Sequence, residues 1–237
     1  MRQAEETGMR ARQARRRVER HRLRVALVFV AAVSALAGMT DAIGLMIAGN
    51  FVSFMSGNTT RAGVALAEGR FGAALPMLLA VAVFVAGNAL GVLVAGRGRR
   101  AFTRVLGLVA LLVAGAALVF AWPLAGFLLA VLAMAVLNAA VEQVAGLPIG
   151  LTYVTGALSR FGKGLGRRLR GEARPGWEIQ IVPWCGMAAG AVAGAGLAMH
   201  WGAGALWVPA GCAAALALAG LVLPRRTARG LSRAVGG

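Results

Sequence analysis

The chain has 237 residues, of which 59% are hydrophobic and only 14% charged, with a mean hydropathy of +0.75. A water-soluble domain carries about a quarter of its residues as Asp, Glu, Lys and Arg, so this composition excludes a soluble globule and points to a chain solvated mostly by lipid. The net charge of +17 does not imply a nucleic-acid partner, because the basic residues flank apolar runs without interleaved aromatics or a recognition motif.

Residues 1–24 are arginine-rich and read as a basic tail on the cytoplasmic side of a membrane, where Lys and Arg accumulate and anionic lipid headgroups supply the counter-charge. The first span runs from about Val25 to Met46 and is interrupted by Asp41. Ser34-Ala35-Leu36-Ala37 has the small residues of a signal-peptide cleavage site. The basic region before it is too long for a signal peptide and the apolar run continues past it, so the segment is expected to stay.

A polar, Gly-containing stretch from Asn50 to Arg70 leads to span 2 at about Ala73–Ala95, and the basic loop Arg97–Arg104 leads to span 3 at about Val105–Phe120. Ala121-Trp122-Pro123 turns the chain into span 4 at about Leu124–Val144. A second polar stretch and the basic loop Arg160–Arg174 precede span 5, about Ile179–His200. Span 6, about Ala205–Leu223, ends in the basic tail 224–237. The fold class is therefore all-α, a polytopic transmembrane helix bundle of about six spans over 25–223. Six spans place every large arginine cluster, and both termini, on the cytoplasmic side; five or seven would split the clusters. Cys185 and Cys212 lie inside spans without CxxC spacing and read as small packing residues.

Self-similarity at one offset divides the six spans. Ser53-Phe54-Met55-Ser56-Gly57-Asn58-Thr59-Thr60-Arg61-Ala62-Gly63 aligns with Thr152-Tyr153-Val154-Thr155-Gly156-Ala157-Leu158-Ser159-Arg160-Phe161-Gly162, an offset of 99 (152 − 53). Gly87-Asn88-Ala89-Leu90-Gly91 matches Gly186-Met187-Ala188-Ala189-Gly190 at the same offset (186 − 87), and Ala95 and Gly194 extend the small-residue stripe. Such stripes let helix backbones approach closely. They would either join two copies of the chain in a homodimer or pack spans 2 and 5 together. Repeat one covers about 25–121 and repeat two about 124–223. Three spans per copy is an odd number, so the expected architecture is a 3+3 inverted-topology repeat, in which many secondary transporters bind substrate near the repeat interface.

Asp41-Ala42, Phe51-Val52-Ser53, Met55-Ser56-Gly57-Asn58 and Thr152-Tyr153-Val154-Thr155-Gly156 resemble the YoaK-like bacterial membrane proteins. The likeness runs over about residues 25–223. Ser56 stands where the family pattern has Thr, a change that keeps the hydroxyl. The resemblance implies a polytopic inner-membrane protein and no assigned biochemical activity.

Asp41, the only Asp of the chain, lies about 25 Å along span 1. It is either a proton or cation site or an interfacial residue, since an intramembrane carboxylate needs a partner, a proton or water. Asn138 and Glu142 share a face of span 4 by their i, i+4 spacing and either line a polar cavity or cap the inner end of the span. Asn50, Ser53, Ser56, Gly57, Asn58 and Thr59, with Thr152, Thr155 and Gly156 in the second copy, are the expected contacts for an ion or polar solute if these stretches enter the membrane. If they stay outside they are turns. Arg61 would neutralise Asp41 or an anionic ligand, and Arg160 would act near Glu142 or as a positive-inside anchor. Gly87, Asn88, Gly91, Gly186, Gly190 and Gly194 are expected to pack helices.

His21 and His200 are too far apart to seed a metal site, and no nucleotide-binding motif occurs, so no cofactor and no enzymatic step is expected. The expected function is a small secondary transporter or permease for an unidentified polar solute, with proton coupling through Asp41 or Glu142. The alternative is a non-transporting membrane scaffold.

Overall fold

A computed structural model describes residues 2–96, 100–140, 154–172 and 175–222. Among them the chain is helical, in the order α1 Arg2–Ala48, α2 Met55–Ala67, α3 Phe71–Ala95, α4 Ala101–Val119, α5 Pro123–Ala140, α6 Val154–Leu169, α7 Val182–Trp201 and α8 Trp207–Val222. Short 3-10 turns, Glu178–Ile181 and Gly202–Leu206, precede α7 and α8.

Nothing in the first 48 residues breaks a helix, so the basic tail and span 1 form one helix of 47 residues. Gly49, at φ 69°, ends it by supplying the left-handed residue that a helix C-terminus favours. Its N–H donates to Leu45 O at 2.9 Å. The turn from α2 into α3 repeats the device: Gly69 sits at φ 71°, Gly69 N–H reaches Leu66 O at 3.0 Å and Arg70 N–H reaches Ala65 O at 2.8 Å. Pro123 opens α5, where its missing N–H has no intrahelical acceptor to lose.

By length and composition four segments suffice to cross a membrane: Leu23–Ala48, Phe71–Ala95, Ala101–Val119 and the 44-residue Glu178–Leu221. The last contains both α7 and α8, and α5 adds a shorter apolar helix. The result is a polytopic helix bundle of six apolar helices among the described residues: α1, α3, α4, α5, α7 and α8.

The main contacts pair α1 with α7, α3 with α5, and α4 with both α5 and α8, while α2 lies on α3. Phe102, Val105, Leu106, Val109, Val113 and Ala116 give α4 a buried stripe at helical spacing. They meet Val30, Val33 and Leu36 of α1 and Val131, Met134 and Leu137 of α5 in one core. The outward face is apolar as well: Leu93, Leu111, Leu118, Val192 and Leu218 are all exposed. An apolar core inside an apolar rim is what lipid solvation requires.

Three sequence readings change. The stretch Asn50–Arg70, read as polar chain, is mostly the 13-residue helix α2. The hydroxyls of Thr59 and Thr60 bond back to Met55 O (2.9 Å) and Ser56 O (3.0 Å), so they do not compete with the helix ladder. Arg160–Arg174, read as a loop, contains most of α6, because Val154, Leu158, Phe161, Leu165 and Leu169 recur at helical spacing. Helix α4 begins at Ala101, four residues before the expected start of span 3.

Candidate functional site

Residues 49–54 join α1 to α2 without helical structure, and such a link must find partners for its own amides. Asp41, buried on α1, supplies them. One carboxylate oxygen, Oδ1, accepts from Val52 N–H at 2.7 Å and Ser53 N–H at 2.8 Å. Asn58, fully buried, closes a reciprocal pair with Phe51: the Phe51 N–H reaches Oδ1 at 3.2 Å and Nδ2 reaches the Phe51 carbonyl at 2.7 Å. Gly57 makes room for the Phe51 and Phe54 rings, which meet edge to face with centroids 5.3 Å apart.

Arg61 does not pair with Asp41. Its guanidinium donates to Gly49 O at 2.6 Å, and Asn50 Nδ2 donates to Ala48 O at 3.1 Å. Both thereby cap carbonyls left unpaired at the C-terminus of α1. Ser56, Thr59 and Arg61 are exposed, whereas Asp41, Ser53 and Asn58 are buried. The structure thus gathers Asp41, Asn50, Ser53, Gly57, Asn58 and Arg61 into one knot, but most of their polar groups are spent on the chain itself.

The second polar stretch is described only in part. Glu142 and Thr152 lie outside the described residues. Thr155 is exposed and Gly156 half-buried near the start of α6. Arg160 Nε donates to Gln180 Oε1 at 2.8 Å, and the Phe161 ring lies 5.1 Å from Trp177, so α6 is tied to the turn before α7.

The small-residue stripes lie on two crossings. On α7, a methyl added to Gly186 would stand 2.5 Å from Ala31 O and 3.0 Å from Ser34 Cβ. One on Gly190 would overlap the Ala35 carbonyl, and one on Gly194 the Met39 carbonyl. On α3, a methyl on Gly87 would stand 2.5 Å from Ala135 Cβ and 3.2 Å from Leu132 O. On Gly91 it would stand 2.7 Å from Ala139 Cβ and 2.9 Å from Val136 O. Span 5 therefore meets span 1, and span 2 meets span 4. This corrects the expectation that spans 2 and 5 meet each other, and it takes up both stripes inside one chain. Asn138 Nδ2 donates across the second crossing to Asn88 Oδ1 at 2.9 Å, while Asn88 Nδ2 bonds back to Phe84 O at 2.8 Å. Sequence reading had both asparagines but did not join them; two amides on apolar helices were the available signal, because each seeks a partner there.

A model of a family of unknown function, DUF1275, matches residues 27–219. The UPF0700 transmembrane protein RA0705 of Rhizobium meliloti (strain 1021) is 52% identical over 218 residues, covering 92% of this chain and 96% of the relative. No solved structure matches the chain. With the apolar helices described above, these similarities make it a multi-pass integral membrane protein, and it belongs to the DUF1275 family of proteins of unknown function.

Proposed function

We propose that the chain is a small secondary transporter for a polar solute, built as two inverted halves of three spans. The doubled crossing supports this reading. The glycines of the two crossings are offset by 99 (186 − 87 and 190 − 91), and the groups they meet are offset by 101 (132 − 31, 135 − 34 and 136 − 35). In both crossings the two helices run parallel, since the contacts ascend together in sequence. Helices α2 and α6 also begin 99 residues apart (154 − 55). A pseudo-two-fold axis would relate α1, α3 and α4 to α5, α7 and α8. In inverted repeats of this kind the solute site lies near the interface between halves.

In sequence the offset of 101 carries Asp41 to Glu142. Proton coupling belongs to this pair in the proposal. The arginine distribution supports cytoplasmic termini in an inner membrane, with anionic lipids at the basic tails. No catalytic step and no cofactor is assigned. A homodimer would use lipid-facing surfaces, because the glycine stripes are occupied. The narrower likeness to the YoaK-like proteins rests on the motifs around Asp41, Asn58 and Thr155.

One observation favours a scaffold instead: Asp41, Asn58 and Arg61 find partners within their own link. Uptake of a panel of small polar solutes into proteoliposomes separates the readings. A transporter gives saturable uptake that depends on a pH gradient in the wild type. Uptake indistinguishable from protein-free vesicles across the panel would leave the scaffold.

A further inference from the structure

The end of α1, the body of α2 and the start of α3 enclose an open cleft of about 490 Å3. Its polar lining is Asn50, Thr60, Arg61 and Arg70, and the remainder is mainly apolar, including Ala73 and Met77. Arg61 is held in place by its bond to Gly49 O, and Arg70 is ion-paired with Glu68, which does not line the cleft. Two arginines against one neighbouring carboxylate leave a net positive charge. A guanidinium anchored through one donor keeps further N–H groups for a ligand.

The cleft sits where apolar helix gives way to polar chain, since α1 ends at Ala48 and α3 begins at Phe71. That boundary is the level at which headgroups meet hydrocarbon. A phosphoryl group matches the polar lining, having several acceptor oxygens and a geometry suited to arginine. A short hydrocarbon chain matches the apolar lining.

We propose that this cleft binds a phosphate ester carried on an apolar chain, with Arg61 and Arg70 on the phosphate and the Ala73 and Met77 side against the hydrocarbon. The site stands whether or not the chain transports anything. Its ligand comes either from the membrane, as a phospholipid headgroup, or from solution, as an alkyl phosphate.

The test uses the full chain in phosphatidylcholine nanodiscs, titrated calorimetrically with hexyl phosphate and with inorganic phosphate. Hexyl phosphate should bind more tightly than inorganic phosphate. Arg70→Gln and Arg61→Gln should each weaken it about tenfold to a hundredfold, the loss of a charge-assisted bond. Arg70→Gln leaves the Arg61–Gly49 bond intact, so the outcome does not hang on a variant that loosens the link. Ala73→Leu should weaken hexyl phosphate about tenfold, by filling space its chain needs, and leave inorganic phosphate unchanged. Phosphatidylglycerol retained in native mass spectra, and displaced by hexyl phosphate, would identify the membrane as the source. Hexyl phosphate binding without retained lipid would identify a soluble ligand. Binding of neither, or unaltered binding in folded Arg70→Gln, would overturn the proposal.

Discussion

Where α7 crosses α1, glycine meets backbone: Gly186, Gly190 and Gly194 face the carbonyls of Ala31, Ala35 and Met39, and Gly38 faces Met187 O in return. Where α3 crosses α5, Gly87 and Gly91 face the Cβ atoms of Ala135 and Ala139 and, a little farther off, the carbonyls of Leu132 and Val136, and the Asn138–Asn88 bond spans the gap. The registers correspond but the chemistry does not. In the first crossing the nearest atoms are backbone carbonyls, which cannot move apart from the helix that carries them. The second meets Ala Cβ atoms first and the carbonyls of Leu132 and Val136 only a little farther off, and an amide pair gives it direction. In lipid neither crossing gains from a hydrophobic driving force, so contact geometry sets the strength of each.

The largest expected effect therefore falls on the first crossing. Gly190→Leu should destabilise the chain by at least about 3 kcal/mol, the upper end of overpacking costs, read as the midpoint of unfolding in mixed detergent–SDS micelles. The milder pair sharpens the contrast. Gly190→Ala should cost about 2–3 kcal/mol and Gly87→Ala about 1 kcal/mol, because the added methyl overlaps the facing helix more deeply at Gly190 than at Gly87. Equal costs would remove the distinction between the crossings.

The next effect asks whether the crossing alone fixes the end of α1. Asp41 lies two residues beyond Met39 and holds the link through two backbone N–H groups. Asp41→Ala orphans both and should cost about 2–4 kcal/mol, with proteolysis appearing first between residues 49 and 54. Asp41→Asn keeps the Oδ1 acceptor and cannot ionise, so it should cost about 1 kcal/mol or less. The asparagine also separates two roles. Loss of proton-dependent uptake in a stable Asp41→Asn protein would make the carboxyl a titrating group, whereas retained uptake would leave it a structural anchor.

The apolar spans and their order were legible in the sequence because 20-residue apolar runs bounded by arginine have few other meanings. The glycine stripes were legible as contact faces, but their partners were not. Spacing along one helix shows which residues share a face and says nothing about what lies opposite. The polar motif was legible as a cluster, but its bonds to the backbone of its own link were not. Asp41, Asn58 and Arg61 have the chemistry of ligand contacts, and the same chemistry serves a link whose amides and carbonyls need partners. That use depends on bonds between residues 7 to 12 positions apart, which composition and periodicity do not encode. Helix α6 was not legible for another reason: its many basic residues mask an apolar row of period 3.6.

The smallest effect is the most discriminating for the second crossing. Asn138→Ala removes the bond to Asn88 Oδ1, and polar pairs between membrane helices contribute about 0.6–1.7 kcal/mol. The Asn88 side of the loss should stay small, because Asn88 keeps its own bond to Phe84 O and only its acceptor is left open. Asn88→Ala should cost more, since it removes the acceptor of Asn138 Nδ2 together with its own bond to Phe84 O and opens a gap beside Gly87 and Gly91. A double variant costing no more than Asn88→Ala alone would show that the two amides act as one unit, with the direction of the α3–α5 crossing set by that pair. Additive costs would mean that the methyl contacts at Ala135 and Ala139 set the register and that the amides only follow it.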